Sequence, residues 1–181
     1  PHPYSWPVIG SQEDLNAASL DDIKTFFRSY YSPSNASLAI AGDINPDAVK
    51  ELVERYFGSI APGEKPNRVQ QMGSVISGEV ALDLTDKVEL PRLYLAYPGP
   101  AAFDKDEAAL DVLSTVLSDG KSSRLYRSLV YEKQIARDVS VGAYAQEIAG
   151  EISIQATASP GHTLDEIQSV IEEELDRARS E

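Results

Sequence analysis

Five stretches of apolar residues at helical spacing, each opened by a side chain that can cap a helix, alternate with short strand-like runs. This interleaving constrains the fold of the 181-residue chain more than any other feature. Ser19 and Asp22 have capping-box spacing, and Leu20, Ile23, Phe26, Phe27, Tyr30 and Tyr31 recur as one helix face until Pro33 stops the pattern. Ala36 to Ala41, bounded by Asn35 and by Gly42-Asp43, is short enough to suit a buried strand. Asn45 and Pro46 open the next helix as N-cap and first-turn residue. Its buried stripe is expected to be Val49, Leu52, Val53, Tyr56 and Phe57, with Gly58 as a left-handed cap.

Periodicity lapses from Ser59 to Gly73, where Pro62, Gly63 and Pro66 interrupt a polar stretch. Beyond it, Glu79 to Leu84 and Arg92 to Tyr97 read as strands, with Leu93 and Leu95 on one face of the second. Asp104 and Glu107 have capping-box spacing ahead of Leu110, Leu113, Val116 and Leu117. A further helix capped by Ser122 or Ser123 carries Leu125, Leu129 and Val130. Asp138 to Gln146 and Glu151 to Ala158 suit a hairpin turning at Ala149-Gly150. Thr163 and Glu166 box the last helix, with Leu164, Ile167, Val170, Ile171 and Leu175 inside. The expected class is α+β, an antiparallel or mixed sheet covered by helices. Ser19-Leu20-Asp21-Asp22-Ile23 echoes Thr163-Leu164-Asp165-Glu166-Ile167, which is capping grammar and weak ground for a duplication.

Charge and composition narrow the partners. Lys and Arg number 16 against 29 Asp and Glu, and the net charge of −13 repels a phosphate backbone. Nucleic acid is not an expected partner. No apolar run approaches the roughly 18 residues of a membrane helix, so membrane insertion is not expected. The chain has no cysteine, which excludes disulfides, thiolate metal sites and thiol catalysis. It opens at Pro1-His2-Pro3-Tyr4 without Met and ends at Ser180-Glu181 inside a helical pattern, so it reads as a fragment.

No catalytic constellation assembles from the residues. The two histidines are His2, held extended between prolines, and His162, near Asp165 and Glu166 at a helix entrance. Each reads as an ordinary surface or loop imidazole before it reads as a ligand. Gly120-Lys121-Ser122 imitates the end of a phosphate-binding loop, but Thr115 stands where the first glycine belongs and a helix leads in. Asp21-Asp22 and Glu172-Glu173-Glu174 read as solvated helix faces. Lys121, Arg124, Arg127, Lys133 and Arg137 against Glu132 give residues 121–137 a net +4, leaving −17 for the remainder. That segment is an ordinary basic face or a docking surface for an acidic partner or another domain.

Several phrases, in order, resemble the pitrilysin (insulinase) family of zinc metallopeptidases. They are His2-Pro3-Tyr4, Pro7-Val8-Ile9-Gly10, Phe26-Phe27-Arg28-Ser29-Tyr30-Tyr31, Pro33-Ser34-Asn35-Ala36, Ile40-Ala41-Gly42-Asp43 and Tyr56-Phe57-Gly58. Ser122-Ser123-Arg124-Leu125-Tyr126, Leu129-Val130-Tyr131-Glu132-Lys133 and Ala158-Ser159-Pro160-Gly161 are similar to that family's second domain. The resemblance implies residues 1–66 as the end of a first, metal-bearing domain, 67–73 as a linker and 74–181 as most of a second, non-catalytic domain. It also implies a parent endopeptidase whose zinc is held by an inverted His-x-x-Glu-His motif and a later glutamate, all upstream of Pro1. No zinc ligand, cofactor-binding residue or catalytic residue is carried over onto this chain. Some relatives place an arginine and, seven residues on, a tyrosine that assist the substrate carbonyl; Val130 and Arg137 occupy the matching positions here. The implied partners are a peptide or unfolded polypeptide and a second similar half or subunit that closes a chamber. The alternative is a non-catalytic partner or scaffold subunit of the same family. The compartment stays open: periplasmic or otherwise exported, as bacterial relatives often are, or cytoplasmic.

Overall fold

The computed structural model describes residues 2–69 and 76–180. The chain divides into two compact units, Pro1–Val69 and Gln70–Glu181. Residues 70–73 of the expected linker, with 74 and 75, lie outside the described residues.

The first unit is helical. Helices α1 (Gln12–Ala17), α2 (Leu20–Tyr30) and α3 (Pro46–Phe57) are joined by coil and two short 3₁₀ turns at Pro3–Ser5 and Pro33–Asn35. Each α-helix starts where a side chain can satisfy free N–H groups. Ser11 accepts from Asp14 N–H, and Asn45 Oδ1 accepts from Asp47 and Ala48 N–H at 3.0 and 3.2 Å. Ser19 and Asp22 form the expected reciprocal box: Asp22 N–H donates to Ser19 Oγ at 3.2 Å, and Ser19 N–H to Asp22 Oδ2 at 2.9 Å. The connector after α3 turns back onto Pro33–Asn35, where Ser34 N–H donates to Pro62 O at 3.0 Å. Gly63 makes this possible: its φ is +70°, and a Cβ there would meet Ser32 Cβ at 2.6 Å.

Three expectations fail in this unit. Residues 36–41 are exposed coil, because a strand exists only through a ladder partner and no described strand of the unit offers one. The stripe of α3 is not buried; Leu52, Tyr56 and Phe57 are exposed and Val49 and Val53 half-buried. Gly58 has φ −64° and ψ −20°, right-handed, since its N–H simply continues the helix to Glu54 O at 2.9 Å.

The second unit holds the core. Strands β1 (Arg92–Gly99), β2 (Ala136–Ala145) and β3 (Gly150–Ala158) form an antiparallel sheet in the order β1-β3-β2. Helix α4 (Glu107–Ser118), a π-helical segment (Tyr126–Glu132) and α5 (Leu164–Ser180) supply its apolar cover. Leu117, Leu125, Leu129, Ile154, Ile167 and Ile171 are each at most 2% exposed. The class is therefore α+β, with an antiparallel sheet. The β2–β3 hairpin begins at Ala136, two residues earlier than the alternation suggests, because a register shift between Ala136 and Asp138 accommodates Arg137. Gly150 is required at its turn: a Cβ would collide with the Pro100 and Tyr144 carbonyl oxygens. Ser118 ties α4 to β2, its Oγ accepting from Val141 N–H at 2.8 Å.

The expected strand at 79–84 is exposed coil beside β1 in sequence, again without a ladder partner. Asp104 and Glu107 do not form a reciprocal box. Asp104 Oδ1 accepts from Asp106 N–H at 3.0 Å and Glu107 reaches Phe103 N–H, so each carboxylate satisfies the loop before α4. The segment after Ser123 opens with Arg124 and Leu125 as α-helix and continues as π-helix, with Lys133 N–H bonded to Ser128 O at 3.0 Å. Thr163 and Glu166 do box α5, through bonds of 3.2 and 2.9 Å.

Candidate functional site

Within the second unit the helices pack on one face of the sheet, and the opposite face carries polar side chains. Alternation along β3 directs Ile154, Ala156 and Ala158 into the core, so Ser153, Gln155 and Thr157 belong to the opposite face. There Arg92, Thr157 and Asp138 stand in one row across the three strands, and Tyr94, Gln155 and Ser140 in the next. Arg92 Nε donates to Thr157 Oγ1 at 2.9 Å, and the Thr157 hydroxyl donates to Asp138 Oδ1 at 3.0 Å. Nothing in the sequence alone announced this relay, because it depends on the register of three strands.

The relay orders charge without activating a nucleophile. An ionised carboxylate is a weak base toward an alcohol, and the Thr157 hydroxyl is held between the Arg92 guanidinium and the Asp138 carboxylate. Thr157 is buried at 7% exposure, so its hydroxyl serves the sheet. At the hairpin end a shallow, open groove is lined by Glu107, Leu110, Asp111, Tyr144, Glu151 and Ile152. Glu107 is already engaged by Phe103 N–H.

The sequence candidates disperse. His2 belongs to the first unit, with Nδ1 accepting from Tyr4 N–H at 3.1 Å and its ring edge-on to Tyr4 at 5.0 Å. His162 belongs to the second, with Nδ1 3.3 Å from Glu166 Oε2. The Glu166 carboxyl is held below the usual range, first by Thr163 N–H and then by the His162 ring. It is already spent on the start of α5. The residues present do not fit zinc: among the described residues no three His, Cys, Asp or Glu side chains converge to hold a metal.

Val130 lies in the π-helical segment and packs on the core, while Arg137 is exposed in the β2 irregularity. Neither matches the chemistry of the assisting arginine and tyrosine. In the basic segment, Arg127 Nε is paired with Glu132 Oε1 at 2.7 Å, which neutralises that one guanidinium. Gly120, at φ +75°, makes the Gly120-Lys121-Ser122 turn, and its carbonyl accepts from Ser123 Oγ at 2.8 Å. The turn leads into the next helix, and the expected cap by Ser122 or Ser123 is not formed there, since the Ser123 hydroxyl donates back into the turn. No helix among the described residues is long and apolar enough to cross a membrane.

Comparison with known proteins gives the chain a family. A family profile described as the peptidase M16 inactive domain matches residues 17–181. The zinc protease PqqE of Helicobacter pylori is 37% identical over 138 residues, covering 75% of this chain and 31% of that protein. An uncharacterized zinc protease of Mycobacterium leprae is 29% identical over 173 residues, covering 94% and 39%. The chain thus spans between three and four tenths of the length of these curated relatives. Among solved structures, a protease from Helicobacter pylori superposes with a TM-score of 0.69 at 31% identity, over 97% of this chain and 43% of that one. A peptidase M16 inactive domain from Pseudomonas fluorescens gives 0.68 at 21% identity over 97% and 43%, a likeness of fold. The profile match across most of the sequence shows that this chain belongs to the peptidase M16 inactive-domain family, within the pitrilysin and insulinase type of zinc metallopeptidase whose phrases it carries.

Proposed function

We propose that the chain is the non-catalytic second domain of a zinc-dependent endopeptidase, together with the tail of the metal-bearing domain before it. Its role is to form chamber wall, and by itself it is inactive. Residues 1–66 belong to the first domain, 67–73 are the linker and 74–181 the second domain. The division of the chain into compact units at Val69 and Gln70 supports that boundary. The observation that carries the reading is the inactive-domain match over residues 17–181, in a chain whose two histidines are each tied to a local turn or helix start. Zinc and its base are supplied by polypeptide carrying the inverted His-x-x-Glu-His motif. The substrate is a peptide or unfolded polypeptide, enclosed against a second similar half. Zinc content by mass spectrometry and cleavage of an unstructured peptide are the test. The 181-residue chain is expected to give neither; stoichiometric zinc with chelator-sensitive turnover overturns the reading.

A second reading is favoured by one observation: Val130 is packed on the core where an assisting arginine would present its charge. Under it the parent is a non-catalytic partner or scaffold subunit. The reading frame upstream of Pro1 separates the two, since an intact inverted motif excludes the scaffold and its absence excludes the enzyme.

The net charge of −13 adds a substrate preference to the leading reading, because a wall of one sign concentrates ligands of the other. Basic peptides are cleaved faster than acidic ones by the complete protein at low salt. Equal rates remove the preference.

A further inference from the structure

The polar face of the sheet ends in two arginines and a single acid. Among the described residues Arg92 bonds only Thr157, a neutral acceptor reached through Nε at 2.9 Å, and the Arg137 side chain bonds nothing. Because Nε is the atom used, the paired Nη groups at the tip of Arg92 stay clear of that bond, and such a pair takes a carboxylate in a two-point contact. Arg137 is brought to the same end by the irregularity in β2. Ala136 and Val139 are 2% and 8% exposed on the core side, so the two residues between them, Arg137 and Asp138, stand together against Thr157. Strands β1 and β2 lie two strand spacings apart, about 10 Å, with Thr157 midway, a gap that two arginine side chains can close from either side.

Asp138 is the one acid of this row. Its Oδ1 accepts from the Thr157 hydroxyl at 3.0 Å, and its charge cancels one guanidinium. One positive charge is left over, which matches a single carboxylate, in a chain that carries −13 overall. The following rows suit the rest of an extended peptide. Tyr94, 64% exposed, stands with Gln155 and Ser140, whose amide and hydroxyl groups can bond a backbone. Beyond them Ala96, Ser153 and Gly142 make a low floor. The Tyr144 ring lies back over that floor, since a Cβ on Gly142 would meet its hydroxyl oxygen at 2.6 Å.

We propose that Arg92 and Arg137 form a carboxylate-binding subsite, which holds the C-terminal carboxylate of an extended peptide above Thr157 while the preceding residues lie along Tyr94 and Gln155. The Asp138–Thr157 pair fixes the angle of the Arg92 guanidinium, so these two are positioning residues. The subsite rests on the reading of the parent as acting on peptides and adds an anchor for one end of such a substrate. A glutamate or aspartate side chain offers the same chemistry, and the probes separate the two sources.

The test is an NMR titration of the 181-residue chain, read at the Nε–H groups of Arg92 and Arg137 and at the Thr157 amide. Three acetylated hexapeptides of alanine and leucine are the probes: one with a free C-terminal carboxylate, its C-terminal amide, and that amide with one internal glutamate. The free acid should shift all three signals and bind at least about tenfold more tightly than the plain amide. Arg137→Gln, which breaks no bond within the chain, and Arg92→Lys, which keeps the charge and loses the fork, should each remove that preference. Arg127→Gln, at a guanidinium already paired with Glu132, should leave it unchanged. Equal binding of free acid and plain amide, unmoved Arg92 and Arg137 signals, or a preference that survives Arg137→Gln overturns the subsite. Binding of the glutamate amide in place of the free acid overturns the peptide end as its ligand. Equilibrium binding separates this proposal from catalysis. Peptide turnover by the complete protein without carboxylate preference discards the subsite alone, and carboxylate binding without turnover discards the endopeptidase alone.

Discussion

Helices α2 and α5 begin alike and end in different physical situations. Both open with a reciprocal capping box, Ser19 with Asp22 and Thr163 with Glu166, and both carry an apolar stripe. Yet α2 buries no residue, while α5 buries Ile167, Val170 and Ile171 against the sheet and the π-helical segment. On α2 the stripe is aromatic and packs upon itself, with Phe27 and Tyr31 rings at 4.6 Å and Phe26 and Tyr30 at 5.0 Å. A capping box sets where a helix starts; the area removed from water is decided by what lies across from it.

The comparison breaks most readily in the apolar stripes. Ile171→Ala should cost about 2–5 kcal/mol in urea unfolding, since a fully buried side chain leaves a cavity. Phe27→Ala, at a half-exposed position of α2, should cost less than about 1 kcal/mol in the same chain. Equal losses would mean that α2 is covered in solution by something its own unit does not supply.

The caps should behave alike where the stripes do not. Thr163→Ala and Ser19→Ala are each expected to cost about 1 kcal/mol of local helix stability, read by amide exchange in the first turns of α5 and α2. A large difference between them would show that capping energy depends on the tertiary surroundings. Ser118→Ala sharpens the account of the second unit: Val141 N–H loses its acceptor, at a cost of about 1 kcal/mol and with faster exchange at that one amide.

The smallest effect is in pH. The Asp22 carboxyl is held below its ordinary value by the Ser19 hydroxyl and then the Ser19 N–H, and Glu166 by Thr163 N–H and then His162. Because both are depressed in the folded chain, their contributions are complete above the unfolded carboxylate range and disappear as the pH falls through the folded-state values. Both side chains face solvent, so the loss should appear as fraying of the two helix starts, with the core intact. Carboxyl titration by NMR after Ser19→Ala should return Asp22 upward and leave Glu166 unchanged; an unmoved Asp22 would remove the cap as the cause.

The helix starts at Ser19, Asn45 and Thr163 were legible because capping is a short-range property of a few residues. The hairpin was legible for a related reason, as Ile152, Ile154, Ala156 and Ala158 alternate beside a turn glycine. Residues 36–41 and 79–84 carry the composition of strands, but a strand is completed by a partner that no local pattern names. The π-helical turn at Tyr126–Glu132 escaped as well, since its leucines satisfy an ordinary helical spacing. The Arg92–Thr157–Asp138 relay brings together residues up to 65 apart in sequence and required the register of the sheet. Family membership was legible from phrases whose order is informative even where each phrase is plain.

The hydroxyl of Ser118, set against the middle of β2, occupies a backbone donor that a neighbouring strand would otherwise use. Filament assembly by strand addition needs two receptive flanks on every building block, one to receive and one to pass on. On the β2 flank the Val141 donor is already spent on α4, so a strand arriving there would forgo that bond.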